Sequence, residues 1–302
     1  MKLLDSFLRS LSSSQTRRAY RTDLQAFFSQ AEDITADLVQ AITHEDIRAF
    51  VETMHDLDLA AGTQRRRLAA LRSFFDWAMT ERIYDRNPAR HPDVKPMPPA
   101  DASSSVRSLT KLEVRDTLEA AGASDETGLR DQAIILTTIH AALRRSEIAA
   151  VAVEDVRPLG RYWILEVNPE GTGEEYVRIP DQVVSVIDNV KDQFGLTAGP
   201  LWRSMSNRNR GEPLSADAIY TIVRRAGTAA GVGSITIDTL RRTGLRLAAD
   251  GGASLSQIQA HGRFGTSAAA AQVHDPEATG GNLQDSAAVH IDFDVSEVLR
   301  GV

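Results

Sequence analysis

The chain has no cysteine in its 302 residues, which removes disulfides and thiolate metal sites from consideration. Lysine is almost missing: Lys2, Lys95, Lys111 and Lys191 are the only four, so 30 of the 34 basic residues are arginine. Aromatic residues make up 6%, and the core is therefore expected to rest on Leu, Ile, Val and Ala. No apolar run approaches the ~18 residues of a membrane span. Asp5 and Arg9 break the first apolar stretch, so no secretory signal is expected and a cytoplasmic location is the simplest reading. What is present fits a globular protein, with 42% hydrophobic and 25% charged residues. The length suits two domains. A net charge of −7 argues mildly against nucleic acid. Against that, guanidinium forks suit bidentate phosphate contacts better than lysine does, although codon bias in a GC-rich genome produces the same excess.

The first ninety residues read as helices. Ser14-Gln15-Thr16 can cap a helix carrying Ala19, Leu24, Phe27 and Phe28 on one side. Thr43 with Asp46 forms a capping-box pattern before Ile47. A third helix is expected from Gly62-Thr63, with Leu68, Leu71, Phe74, Phe75 and Ala78 as its apolar face, closed by Asn87-Pro88. The Pro/Ser/Ala-rich stretch 92–108 has the composition of a linker. The expected domains are therefore 1–92 and 109–302, joined by 93–108. In the second, helices are expected over Glu113–Ala121 and Arg130–Ala142. Arg161–Val167 and Glu175–Ile179 alternate as strands around a Gly171-Thr172-Gly173 turn, and helix returns from Ser215.

Several stretches in order carry a resemblance. They are Thr16-Arg17-Arg18-Ala19-Tyr20-Arg21-Thr22-Asp23-Leu24, then Thr63-Gln64-Arg65-Arg66-Arg67-Leu68 running to Phe74-Phe75 and Asn87-Pro88-Ala89. Ala142-Leu143-Arg144-Arg145-Ser146-Glu147-Ile148 with Glu154-Asp155-Val156 comes next. Asp238-Thr239-Leu240-Arg241-Arg242-Thr243 follows, with Gly251-Gly252-Ala253 and Ile258-Gln259 after it. Together, over residues ~12 to 275, they resemble the tyrosine recombinase (phage integrase) family. The resemblance implies a mainly α protein: an N-terminal helical, SAM-like core-binding domain and a C-terminal recombinase catalytic-type domain with a small antiparallel sheet. It also implies a clamp on double-stranded DNA, with the chain itself or an active homologous recombinase as partner in a dimer or tetramer. Neither a metal nor another cofactor is implied. In active members a tyrosine attacks a backbone phosphate to give a 3′-phosphotyrosine. Two arginines hold the phosphate oxygens, a hairpin lysine and a histidine move protons, and a further His or Trp supports the phosphate.

Carried over residue by residue, Arg144 and Arg241 stand at the two arginine positions. Asp238 stands where the family has histidine, Arg263 where it has His or Trp, and Gln272 where it has the nucleophile, with Val273 the neighbouring candidate and His274 trailing. The hairpin offers Glu170, Thr172, Glu174 and Glu175 but no lysine, and the last tyrosine of the chain is Tyr220. A glutamine amide has no ionisable hydroxyl with which to attack phosphorus. The expectation is phosphate binding without strand cleavage, in a regulator or passive subunit at a recombination site. An active recombinase whose tyrosine comes in trans and a scaffold that has abandoned DNA are the competing readings.

Further DNA contacts are expected from Arg17, Arg18 and Arg21, from Arg65, Arg66, Arg67 and Arg72, and from Arg203, Arg208 and Arg210; each cluster could equally be a solvated face. Arg144 could instead pair with Glu147 or Asp155. His261 and His274 are too far apart in sequence, and without cysteine, to suggest a metal site. The tail from Asp275 is expected either to dock on a neighbouring subunit or to hang loose.

Overall fold

The computed structural model describes residues 3–29, 33–95, 107–123, 127–167, 175–264 and 286–292. The hairpin turn at 171–173, Gln272, Val273 and His274 lie outside the described residues. The chain divides into two compact units, Met1–Ser105 and Val106–Val302.

Unit 1 is helical: α1 (Leu3–Ser10), α2 (Ser14–Phe27), α3 (Ala36–Ala41), α4 (His44–Asp56) and α5 (Ala61–Thr80), then a 3-10 turn at Pro88–Arg90. Local chemistry starts α4 where the sequence places it, whereas the cap of α2 is Ser13, one residue before the expected Ser14-Gln15-Thr16. Ser13 caps α2 through the Thr16 amide, and Thr43 with Asp46 forms a full capping box on α4. The expected face of α5 is the buried one, with Leu68, Leu71, Phe74, Phe75 and Ala78 at 3% exposure or less.

One expectation needs correction. Helix α5 stops at Thr80, well before Asn87-Pro88, because Arg82 turns left-handed (φ 58°) and the Ile83 amide returns to the Ala78 carbonyl. Asn87 instead caps the Pro88–Arg90 turn and ties it to α5 through the Arg72 carbonyl and Asp76. The core of unit 1 is mainly Leu, Ile, Val and Ala, as the composition suggests, with four phenylalanines set among them. Six of the nine phenylalanines fall in unit 1, and Phe7, Phe28, Phe74, Phe75 and Trp77 meet edge-on or tilted at 5.4–5.9 Å. A small unit gains most per residue from such large side chains, each contributing about 1.5–3 kcal/mol when fully buried.

Unit 2 is built round α7 (Gly128–His140), in which every residue from Arg130 to His140 is buried. Its neighbours are α6 (Lys111–Gly122), α9 (Asp181–Phe194), α10 (Ala216–Ala229) and α11 (Ile237–Asp250). The crossing with α11 depends on Gly244, where a Cβ would stand 1.9 Å from the Ile139 carbonyl oxygen. Short α8 (Arg145–Ala150) and α12 (Leu255–His261) flank the end of α7. Here the core is aliphatic, as the composition suggests.

The sheet has three antiparallel strands in the order β1 (Val156–Leu159), β2 (Tyr162–Val167), β3 (Glu175–Ile179), with Val156 opposite Leu165 and Trp163 opposite Ile179. β2 and β3 pair as the alternation predicts, whereas β1 has no alternation to announce it. Both ends of the Pro/Ser/Ala-rich segment are tied to their own units: Val94 is 3% exposed in the unit 1 core, and Arg107 pairs with Glu113 and the Val232 carbonyl. From the tail, residues 286–292 dock in cis. Ala287, Ala288 and Ile291 are buried against α11 and α12, and His290 Nδ1 lies 2.9 Å from the Gly251 carbonyl oxygen.

Candidate functional site

The end of α7 is where the two arginine motifs meet. After His140 the chain passes through Ala141 into Ala142, which adopts the left-handed conformation (φ 45°). A non-glycine residue held there is strained by about 1 kcal/mol or more. The strain turns the chain sharply, so that Leu143 buries its side chain and Arg144 becomes the N-cap of α8. A matching turn ends α12, where Gly262 leads into Arg263 with φ 50°. The two strained turns deliver the carbonyls of Ala141, Ala142, Gly262 and Arg263 to one place.

Three guanidinium groups fill that place around one carboxylate. Glu147 Oε1 accepts from Arg144 Nη1 at 2.6 Å, and Oε2 accepts from Arg263 Nη2 at 2.7 Å and from the Arg144 amide at 2.5 Å. Arg263, with 5% of its side chain exposed, also donates to the carbonyls of Ala142 (2.8 Å), His261 (2.9 Å) and Ala141 (3.3 Å). Arg241 is equally buried and donates to the Ala142 and Gly262 carbonyls, with its guanidinium carbon 5.2 Å from the centre of the Phe264 ring. Arg144 also donates to the Arg263 carbonyl at 2.7 Å, yet 41% of its side chain remains exposed. It is the member of the cluster that solvent reaches.

The electrostatics are unbalanced. Burial pushes the Glu147 carboxyl up, but the arginines, Arg263 first, outweigh this and hold it below its ordinary value. Burial, then Arg144 and Arg263, lowers the pKa of Arg241 to about 10, which still leaves it charged at neutral pH. Three cations face one bonded anion among the described residues, an excess of two positive charges in a largely desolvated pocket. Such a site favours an added anion.

The other residues read as site candidates are placed less uniformly. Asp238 lies on the exposed side of α11 and pairs with Arg242 at 3.0 Å, while Arg241 on the same helix turns inward. His261 is turned away from solvent. Its Nε2 is 2.8 Å from the His140 carbonyl oxygen, and burial, followed by Arg263, lowers its pKa to about 4. Arg17 donates to the Leu11 carbonyl (2.5 Å), Arg21 pairs with Asp5 (3.0 Å), and Arg66 and Arg67 flank the buried Asp23 (2.5 and 3.8 Å). Arg72 donates to the Ala89 carbonyl (3.1 Å), and Arg203 to those of Pro200 and Ala198 (3.0 and 2.8 Å). Arg18, Arg65, Arg208 and Arg210 are exposed and make no ion pair among the described residues. The sequence had suggested Glu147 only as a local partner of Arg144; its link to Arg263 spans more than a hundred residues and leaves no local signal. Gln272 lies outside the described residues.

The comparisons with known proteins decide the ancestry. Residues 4–82 match the phage integrase N-terminal SAM-like domain, and residues 107–265 match the phage integrase family. The chain belongs to the tyrosine recombinase (phage integrase) family. Its relatives include tyrosine recombinase XerC of Roseiflexus castenholzii, 26% identical over 258 residues that cover 80% of this chain and 78% of that protein. Tyrosine recombinase XerD of Chlorobaculum tepidum is 26% identical over 269 residues, covering 85% and 86%. Among solved structures, a lambda integrase (75–356) dimer bound to a COC′ core site superposes with TM-score 0.69 at 20% identity, over 93% of this chain and 96% of that one. A lambda integrase tetramer bound to a Holliday junction gives 0.66 at 21% identity, covering 93% and 78%. These likenesses establish the recombinase fold: a SAM-like helical unit followed by a mainly helical unit with a three-stranded antiparallel sheet. Among the described residues no helix is long and apolar enough to cross a membrane.

Proposed function

We propose that this family member grips the backbone of duplex DNA at a recombination-type site and does not cut it. The observation that carries the reading is the pairing of an arginine cluster in cationic excess with a chain that has no tyrosine after Tyr220. A phosphate oxygen at Arg144, and at Arg241 once it releases the Ala142 or Gly262 carbonyl, would relieve the unbalanced charge, and charge-assisted bonds from a fixed fork are the strong ones. Nothing at Gln272 could then attack phosphorus. Arg18, Arg65, Arg208 and Arg210, exposed and outside any ion pair among the described residues, are the candidates for further phosphate contacts. The partner is duplex DNA, occupied as a homodimer or tetramer, or beside an active homologous recombinase.

The test is retention of sheared genomic DNA by the purified chain at low and near-physiological salt, followed by sequencing. An enriched site, with affinity falling by about 0.9 log units per log unit of salt for each phosphate contact, supports the grip. Arg144→Ala and Arg241→Ala should each weaken it. Incubating that site with the chain alone and denaturing in detergent should leave no covalent adduct. An adduct would establish cleavage by a nucleophile other than Gln272, and retention without enrichment would favour the scaffold.

A further inference from the structure

Unit 1 holds a second constellation, of different chemistry and unused by the arginine cluster. His44 is the first residue of α4, Glu45 follows it, and His91 and Asp93 sit in the turn after Pro88–Arg90. One donor atom from each of His44, His91 and Asp93 lies within 4.8 Å of the others. Asp93 Oδ2 is 3.5 Å from His91 Nδ1 and 3.9 Å from His44 Nε2, and Glu45 Oε1 is 3.1 Å from His44 Nε2. Donors bound tetrahedrally at ~2.0–2.1 Å stand ~3.3–3.4 Å from one another. These three separations bracket that value, while the donor atoms of His44 and His91 stand within 4.8 Å of each other.

We propose that His44, His91 and Asp93, with Glu45 as a fourth oxygen donor, form a site for a zinc-type divalent cation. Two imidazoles with carboxylates suit zinc and its transition-metal neighbours, whereas magnesium and calcium take all-oxygen shells. One adjustment is required. The two rings stack with centroids 3.8 Å apart and planes at 26°, and a bound ion lies in the plane of each ring that holds it. The His91 ring must therefore turn about its Cβ–Cγ bond and give up the long contact of its Nδ1 with the Asp93 amide (3.3 Å). That ring is 40% exposed, and the turn also gives up its stacking on His44. The bound ion would clasp the start of α4 to the turn that follows Pro88–Arg90, near the bond from Tyr84 to the Ile42 carbonyl.

The experiment uses the full-length, untagged chain. Zinc is titrated by calorimetry, and cobalt(II) serves as an optical probe of four-coordinate geometry. The expected result is one equivalent per chain, the intense visible bands of tetrahedral cobalt, and a melting temperature raised by zinc in excess. His44→Ala and His91→Ala should each cost at least about tenfold in affinity, by analogy with lesser losses from supporting residues. His55→Ala, exposed further along α4, should cost nothing. Asp93→Asn, which keeps the side-chain shape, separates loss of a ligand from loss of the turn, and circular dichroism reports folding of each variant. Absence of stoichiometric binding, or binding that survives both histidine substitutions, overturns the site.

Discussion

Acidification should destabilise unit 2 through two histidines beside the arginine cluster. His140 and His261 are both buried, and their pKa values are lowered from 6.5 to about 3 and about 4. Burial is the first cause in each; the second is the neighbouring His261 for His140 and Arg263 for His261. The folded state therefore refuses protons that the unfolded chain accepts. Stability from these groups is fully present above pH 6.5, falls as the pH drops below it, and is exhausted near the folded pKa values. Between pH 7 and pH 5 each histidine forfeits about 2 kcal/mol, and the pair about 4 kcal/mol. For a unit of this size that lowers the melting temperature by on the order of 10 °C. Glu147, whose pKa is lowered from 4.5, acts below this window, whereas Asp131 and Asp155, whose pKa values are raised by burial, act with the opposite sign. Comparison with His261→Gln cancels those carboxylates, and the variant should lose about half of the acid sensitivity. The direct assay is the proton NMR titration of the folded chain. The ring resonances of His140 and His261 should stay fixed from pH 7 to pH 5. Native-state midpoints near 6.5 for the buried pair would refute the reasoning.

Two further substitutions probe the fold around the same site. Gly244→Ala should cost roughly 1–3 kcal/mol or more in urea denaturation, since its Cβ would stand 1.9 Å from the Ile139 carbonyl oxygen and α7 and α11 would have to part; an unchanged midpoint would mean the crossing is looser than described. Glu147→Gln leaves Arg144, Arg241 and Arg263 without their carboxylate, and because Arg144 is partly solvated the expected loss is about 3 kcal/mol, at the low end for a broken buried pair. Millimolar sulfate should restore the melting temperature of this variant more than that of the parent, and equal gains would count against an anion-seeking pocket.

The fold was legible where its causes are local. Thr43 and Ser215 cap helices where the sequence signals them, because a side-chain oxygen reaches an amide three residues on, and apolar spacing identifies the buried face of α5. Strand β1 was not legible, because Val156-Arg157-Pro158-Leu159 owes its conformation to pairing with β2, and Pro158 is tolerated on an edge strand. In the site, the motifs point to Arg144 and Arg241, but nothing in the sequence announces that Ala142 and Arg263 are left-handed. Glycine normally signals such turns. With alanine and arginine there, the convergence of four carbonyls and Arg263 on Glu147 appears only in three dimensions. The His44–His91 stack is invisible for a related reason, since helix start and final turn meet only through the packing of unit 1.

Restoring the nucleophile alone should not restore cleavage. If Gln272→Tyr supplied a phenol that attacked a phosphate held by Arg144 and Arg241, the departing 5′-oxygen would still need a proton. No lysine lies between Lys111 and Lys191. Asp238 is exposed and paired with Arg242. His261 is neutral at working pH, buried, and bonded to the His140 carbonyl. The arginines can stabilise charge on the non-bridging oxygens, but they are poor acids even with the pKa of Arg241 lowered to about 10. A missing general acid typically costs 10²–10⁴-fold, by order of magnitude. The discriminating substrate is the enriched DNA site with sulfur in place of the 5′-bridging oxygen, because a thiolate departs without protonation. Gln272→Tyr should form the covalent adduct on the sulfur substrate and at least about a hundredfold more slowly on the ordinary one. Equal rates would show that the pocket already contains its acid and that the tyrosine was its sole loss. No adduct on either would mean that position 272 does not reach the phosphate, and the placement of the nucleophile position at Gln272 would be wrong.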